Sequence, residues 1–157
     1  MYKRQIFGAA VEAAKITKKP VKVEIMVPLV MSKQEFTFVR EKIEKVAQEL
    51  FSRHNTSVPY TIGTMIELPR AALLADQIAE GAEFFSFGTN DLTQTTYGIS
   101  RDDCRGFLTD YIEKGLLQRD PFAHLDQEGV GALIACAVTK GRTTNACLLY
   151  TSPSPRD

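Results

Sequence analysis

Two acidic residues follow predicted β-strands closely enough in the sequence to act together. Glu67 ends a strand-like stretch that begins at Tyr60, and Asp91 comes shortly after the hydrophobic run Phe84–Phe87. If those strands are parallel neighbours, about 4.8 Å apart, both carboxylates lie at one edge of the sheet. Like charges at that spacing are costly unless a cation lies between them. Mg²⁺ suits such a pair, because it takes one or two carboxylates and leaves its other positions to water and substrate.

The turn before Asp91 offers a second chemical element. Gly88, Thr89 and Asn90 place backbone N–H groups at the start of a predicted helix, where an anion is favoured. A metal beside such a turn suits a small substrate that carries a carboxylate, a phosphate or both. The metal can also hold the charge of an enolate as it develops.

The same residues also have a purely structural interpretation. Glu67 precedes a predicted helix, and acidic residues are common there because of the helix dipole. Asn90 and Asp91 are typical helix-capping residues. Met65 lies on the same predicted face as Glu67, where packing is its default role. Spacing alone leaves both interpretations open.

The elements that would position these residues alternate between strand and helix. Strand patterns cover residues 21–30, 60–68 and 84–88, and helical patterns cover 32–52, 69–79, a short segment from about 91, 103–117 and 126–140. Asp126 is a candidate cap for the last of these helices. The alternation predicts an α/β fold with a parallel sheet and right-handed crossovers. Both an open doubly wound sheet and a barrel satisfy it, and in either one the working residues collect at the C-terminal ends of the strands.

Composition argues against several classes of function. The 157 residues include 19 basic and 19 acidic side chains, so no basic surface for nucleic acid or for an anionic membrane is expected. No apolar run approaches the roughly 20 residues of a transmembrane helix. Three cysteines without C-x-x-C spacing argue against a disulfide framework or a zinc site, and they favour a reducing, intracellular compartment.

Two long stretches resemble a known family. TIGTMIELPRAALLADQIAEGAEFFSFGTNDLTQTTYGISRDD is similar to the C-terminal domain of the PEP-utilising enzymes, which include pyruvate phosphate dikinases, phosphoenolpyruvate synthases and enzyme I of the sugar phosphotransferase system. FLTDYIEKGLLQRDPFAHLDQEGVGALI extends the likeness and favours the dikinase branch. The resemblance covers roughly residues 6–142. The other two branches, and a non-catalytic interaction module, are the alternatives.

The resemblance implies a (β/α)₈ TIM barrel, of which this chain would hold about three β/α units from the later half. It implies Mg²⁺ as the cofactor, with Glu67 and Asp91 as its ligands. The substrate-binding residues that it implies are Met65, Glu67, Gly88, Thr89, Asn90 and Asp91. The implied partners are pyruvate or phosphoenolpyruvate (PEP), the phosphohistidine domain of a longer parent chain, and a second copy of that parent. The implied location is the cytoplasm, or a plastid in a plant.

The ends of the sequence depart from the family pattern. The family's acid/base cysteine lies a little beyond Arg142, but the surroundings of Cys147, NACLLYTS, do not match its motif. No catalytic residue is therefore assigned in this chain. Residues 1–5 are expected to be non-native, and residues 146–157 are expected to be either non-native or disordered. Residues 6–145 are expected to form a partial barrel. The isolated fragment is accordingly expected to be inactive.

Overall fold

A computed structural model of the protein describes residues 2–151. Its helices and strands, in chain order, are α1 (Tyr2–Thr17), β1 (Val23–Val27), α2 (Lys33–His54), β2 (Tyr60–Ile66), α3 (Pro69–Leu73), α4 (Ala75–Ala79), β3 (Phe84–Phe87), α5 (Thr89–Tyr97), α6 (Arg105–Glu113), α7 (Val130–Thr144) and β4 (Leu149–Thr151). No helix among these residues has both the length and the apolar character that crossing a lipid bilayer requires.

The strands form one parallel sheet in the order β1-β2-β3-β4. Ile25 lies opposite Ile62, and Thr64 lies opposite Phe85. Parallel neighbours need a crossover connection, and here helices supply it. The α/β fold class and the parallel arrangement predicted from the sequence are therefore confirmed.

The two faces of this sheet differ in whether helices pack against them. One face, here called the helix face, packs against the helices and carries the buried apolar residues Val23, Ile25, Val27, Ile62, Ile66, Phe85 and Phe87. The opposite face, here called the open face, carries Glu24, Met26 and Met65, none of which is fully buried. This alternation follows from the two-residue period of a strand, which sends successive side chains to opposite faces.

Helix α2 begins where the sequence predicts. The hydroxyl of Ser32 accepts a hydrogen bond from the backbone N–H of Glu35 at 3.2 Å. The Glu35 carboxylate in turn accepts from the Met31 N–H at 2.8 Å. These two bonds satisfy backbone donors in and just before the first turn, and Ser32 is the N-cap of the helix. The helix then buries Phe36 and Ile43.

The single helix predicted over residues 69–79 is wrong in one respect. Leu74 has φ −111° and ψ 23°, outside the helical region, and it separates α3 from α4. Both short helices pack against α7. The break lets Ala72 and Ile78 both reach full burial. Burial in the tertiary structure, which local sequence does not encode, thus overrides continuous helical propensity.

Two elements at the ends of the described chain have no counterpart in the sequence prediction. Helix α1 begins at Tyr2, and its Phe7 ring packs edge-on against Phe51 and Tyr60, with centroids 5.6 and 5.2 Å apart. Strand β4 pairs in parallel with β3, inside the tail expected to be non-native or disordered. The rest of that tail, 152–157, lies outside the described residues. The domain boundaries at residues 5 and 145 stay predictions.

Asp126, the predicted N-cap of the last helix, lies in the loop before α7, which begins at Val130 with Gly129 as its N-cap. Its carboxylate accepts backbone N–H bonds from Glu128, Gly129 and Val130 at 3.1–3.2 Å. Partial burial opposes ionisation, but those bonds and one from the Tyr97 hydroxyl outweigh it and lower the pKa of Asp126. The loop before α7 is therefore anchored to α5.

Candidate functional site

The predicted site residues lie at the C-terminal edge of the sheet, on the open face. Ile66 lies opposite Phe87 in the β2–β3 register, so Glu67 and Gly88 directly follow the last pair of residues. Alternation along each strand puts Met65 and Glu67 on the same face. In parallel α/β folds this edge is where ligand sites collect.

Glu67 is buried to an unusual degree for a carboxylate, with 2 % of its surface exposed. Its Oε1 accepts a hydrogen bond from the backbone N–H of Leu29 at 2.6 Å. Leu29 has φ +54°, in the left-handed region that non-glycine residues rarely adopt. The loop after β1 therefore holds a strained backbone conformation that points an N–H at this carboxylate.

The other carboxylate oxygen of Glu67 lies against Gly88. A Cβ atom at position 88 would be 2.4 Å from Glu67 Oε2 and 2.9 Å from the Cε of Met65. Both distances are far inside van der Waals contact, so any larger residue would displace these side chains. Glycine is required at 88 because the Glu67 carboxylate and the Met65 side chain come this close to the backbone.

Glu67 and Asp91 lie close enough for their carboxyl groups to be in hydrogen-bonding contact. Burial raises the pKa of Glu67; the Leu29 N–H acts in the opposite direction, and the charge and contact of Asp91 raise it further. Within the described part of the chain, no lysine or arginine forms an ion pair with either carboxylate. In the part of the chain that the structure describes, the two carboxylates therefore have no ion-pair partner.

The capping interpretation of Asn90 and Asp91 is wrong, because both residues lie inside the first turn of α5. The N-cap of α5 is Gly88, and no side chain makes a capping hydrogen bond there. Asp91 Oδ1 instead accepts from the Gln94 side-chain amide at 3.0 Å. The helix after Glu67 has only five residues, which leaves little dipole to attract an acid.

The predicted row of backbone donors is incomplete. Gly88 donates its N–H to the carbonyl of Ile66 at 3.2 Å, so that group is not available to a ligand. The prediction of a backbone donor for an anion is therefore wrong for the Gly88 N–H, whereas Gly88 as a substrate-binding residue stays a prediction. Thr89 and Asn90 occupy the first turn of α5, with Thr89 partly buried and Asn90 exposed.

Four residues around the site escaped sequence analysis. Leu29 contributes only its backbone, which leaves no signature in the sequence. Thr95 donates its hydroxyl to the Asp91 carbonyl at 2.7 Å. Arg101 donates from Nη1 to Asn90 Oδ1 at 3.1 Å, and its backbone N–H donates to Gln94 Oε1 at 2.8 Å. Gln94 was the detectable one, because it lies one helical turn after Asp91.

The donor set fits a hard divalent cation. Among residues 2–151, no group of three or more His, Cys, Asp or Glu side chains could hold a metal. The Glu67–Asp91 pair could offer a cation two carboxylates, and their donor atoms are oxygen. Mg²⁺ accepts such a partial shell and keeps water and substrate in its other positions, whereas zinc sites usually have three or four protein ligands.

A separate cavity of about 460 Å³ lies between Tyr97 and the 116–128 segment. Its lining includes Arg119, His124 and Asp126 but none of the six predicted site residues. The carboxylate pair therefore sits on an open sheet edge and not in this cavity.

Comparison with known proteins agrees with the resemblance in the sequence. The family model described as "PEP-utilising enzyme, PEP-binding domain" matches residues 1–152. Among curated proteins, the chain is 58% identical over 144 residues to pyruvate, phosphate dikinase of Rhizobium meliloti. It is 51% identical over 139 residues to the Giardia intestinalis enzyme of the same name. These alignments cover 92% and 87% of this chain but 16% of each relative.

Among solved structures, the chain resembles one titled "Crystal Structure of Citrate Synthase SbnG". The TM-score is 0.51 at 14% sequence identity, with 98% of this chain and 64% of the other covered. At that identity the likeness concerns the fold alone. The extent of the family match and the level of identity to the curated relatives carry the assignment: this chain belongs to the PEP-binding domain family of the PEP-utilising enzymes.

Proposed function

We propose that this chain is part of a pyruvate, phosphate dikinase and contributes the Mg²⁺ and pyruvate end of its active site. The observation that carries the proposal is a buried carboxylate, Glu67, in contact with Asp91 and, among the described residues, without an ion-pair partner. The names of the relatives support the reaction class, phosphoryl transfer. The whole reaction would convert ATP, phosphate and pyruvate to AMP, diphosphate and PEP.

The fold proposed for the longer protein is a (β/α)₈ barrel, of which this chain supplies units of the later half. The parallel sheet with consecutive strand order supports it, because barrel strands are paired in chain order. The position of the acidic pair at the C-terminal edge of that sheet supports it as well, since barrel active sites lie at that end.

Each site residue then has a role that its contacts support. Glu67 and Asp91 bind the cation, and the Leu29 N–H keeps the Glu67 carboxylate in place. Thr89 and Asn90 contact the substrate from the first turn of α5. Gly88 leaves room for Glu67 Oε2, and Met65 covers that side with an apolar side chain.

The proposed chemistry is transfer of a phosphoryl group from a histidine of another domain of the parent chain. A general base takes a proton from the methyl group of pyruvate and so generates the enolate, and no residue of this chain is assigned as that base. The phosphorus–nitrogen bond of the phosphohistidine then breaks as a phosphorus–oxygen bond forms to the enolate oxygen, whose charge Mg²⁺ would stabilise. The isolated chain is proposed to bind but not to turn over, because the surroundings of Cys147 do not match the family's acid/base motif.

Two further parts of the proposal concern assembly and location. Helix α6 exposes Phe107 and Tyr111, whose rings pack edge-to-face with centroids 5.4 Å apart, and this apolar surface supports a homodimer of the parent. The cytoplasm is the proposed location. A plastid is the alternative for a plant protein, since one relative is the chloroplastic enzyme of Mesembryanthemum crystallinum.

The proposal is tested by calorimetry on this chain with Mg²⁺ and oxalate, a mimic of the pyruvate enolate. Heat is expected only when both are present. Glu67→Gln and Asp91→Asn should each weaken binding by more than about tenfold, because losing even a residue that only supports a metal ligand costs that much.

Glu24→Gln is the matched control for this experiment. Glu24 lies on the same open face but in β1, where it pairs with Lys22 at 3.0 Å. It should bind like the unaltered chain. Equal affinity in all three variants, or no heat from the folded unaltered chain, would refute the metal site.

A further inference from the structure

We propose that Arg101 is a positioning residue for this site, fixing the side-chain amides of Asn90 and Gln94. This inference rests on the proposed function for the identity of the ligand. It comes from two hydrogen bonds that leave the same residue: Arg101 Nη1 donates to Asn90 Oδ1 at 3.1 Å, and the Arg101 N–H donates to Gln94 Oε1 at 2.8 Å.

The direction of each amide follows from the chemistry of its partner. A side-chain amide has a donor end and an acceptor end, and either can usually be turned toward a neighbour. A guanidinium and a backbone N–H can only donate. Arg101 therefore fixes the oxygen ends of Asn90 and Gln94 toward itself, and the NH₂ groups must point elsewhere.

For Gln94, the consequence is visible in the structure. With Oε1 held by the Arg101 N–H, its Nε2 donates to Asp91 Oδ1 at 3.0 Å. Asp91 is also tied through its backbone carbonyl to the Thr95 hydroxyl at 2.7 Å. One carboxylate oxygen of Asp91 is thereby held by the amide, and the other is left for the cation.

For Asn90, the consequence concerns the substrate. With Oδ1 turned to Arg101, its NH₂ group is presented as a pair of donors. Donors suit the negatively charged oxygens of a carboxylate or an enolate, whereas an amide oxygen in that position would repel them. Arg101 thus selects the orientation of Asn90 that favours an anionic ligand.

The two contacts are separable by mutation. Arg101→Met removes the guanidinium but keeps the backbone N–H that holds Gln94. Order of the Asn90 side-chain amide, measured by ¹⁵N relaxation, should therefore fall, and affinity for oxalate with Mg²⁺ should weaken about threefold to tenfold. Affinity for Mn²⁺ alone, which reports on Glu67 and Asp91, should stay unchanged.

Two more variants serve as a partial rescue and as a control for Arg101→Met. Arg101→Lys keeps a donor with a different reach and should restore part of both the amide order and the oxalate affinity. Arg53→Met, in the last turn of α2, removes an exposed guanidinium far along the chain and should change nothing. A general structural role for Arg101 would instead alter the Mn²⁺ and oxalate affinities together.

The unaltered chain gives a test that needs no variant. The Asn90 amide should be more ordered than the amide of Asn55, which is exposed at the end of α2. Equal disorder of the two amides would overturn the inference, as would Arg101→Met with an unchanged Asn90 amide. If the amide loses order in Arg101→Met but the unaltered chain gives no heat with Mg²⁺ and oxalate, the positioning role stands and the proposed function fails.

Discussion

The two faces of the sheet are built from the same strands but differ in how deeply their apolar side chains are buried. On the helix face, Ile62 and Ile66 are fully buried, whereas on the open face Met26 is 39 % exposed. Among the residues that the structure describes, Glu67 is the one buried acid, and it follows the open-face residues of β2. Apolar burial on the helix face therefore supplies stability, whereas the open face carries polar groups that include the buried Ser86 and Glu67.

Neighbouring residues of β2 give the largest expected contrast. Ile66→Ala should lower the free energy of unfolding by about 2–5 kcal/mol, because it leaves a cavity in the helix-face core. Met65→Ala, one residue earlier on the open face, should lower it by only about 1 kcal/mol, since that side chain is partly exposed. Urea unfolding of both variants measures the difference. Equal losses would mean that the two faces contribute alike.

Gly63 lies on the open face at a position where neighbouring atoms leave no room for a side chain. A Cβ atom there would lie 2.4 Å from the Phe84 carbonyl oxygen and 2.5 Å from its ring. Because backbone cannot rotate away, Gly63→Ala should cost about 1–3 kcal/mol of stability. Gly106→Ala has nothing within 4 Å and should be neutral or slightly stabilising. Thermal unfolding compares them, and matching melting temperatures would contradict the constraint.

Gly88→Ala should instead act on binding. Its Cβ would meet mainly side-chain atoms of Glu67 and Met65, which can move at the expense of the site geometry. Mg²⁺-dependent oxalate affinity should fall about tenfold, while the melting temperature changes less than in Gly63→Ala. Calorimetry and thermal unfolding of the same preparation separate the two effects. Retained affinity would show that Glu67 Oε2 plays no part in binding.

The smallest expected effect is a pH dependence of stability. Burial of Glu67, with the contact from Asp91, raises its pKa above the ordinary 4.5. Between 4.5 and the raised value, the folded chain keeps a proton that the unfolded chain has released, so the free energy of unfolding should decrease as pH rises through that window. Urea titrations without divalent cations should show this slope, and Glu67→Gln should remove it. An identical slope in that variant would assign the effect elsewhere.

The sequence carried enough information to place the acids but not their surroundings. The alternation of strands and helices along the chain predicts that β2 and β3 pair in parallel, and this pairing brings Glu67 beside Gly88. The break at Leu74 was not predictable, because it depends on α3 and α4 both packing against α7. The Leu29 N–H contact was not predictable either, since any residue has that donor. Arg101 lay too far along the chain for helical spacing to connect it with Asn90.

The left-handed backbone of Leu29 links the site to the edge of the sheet. Its N–H holds one oxygen of Glu67, while the other oxygen faces β3. A cation bound to Oε2 and the Leu29 N–H bound to Oε1 would act on the same carboxylate. Each would therefore change the affinity of that carboxylate for the other. Under the proposed function, the conformation of the loop at Leu29 would therefore respond to whether the carboxylate holds a cation.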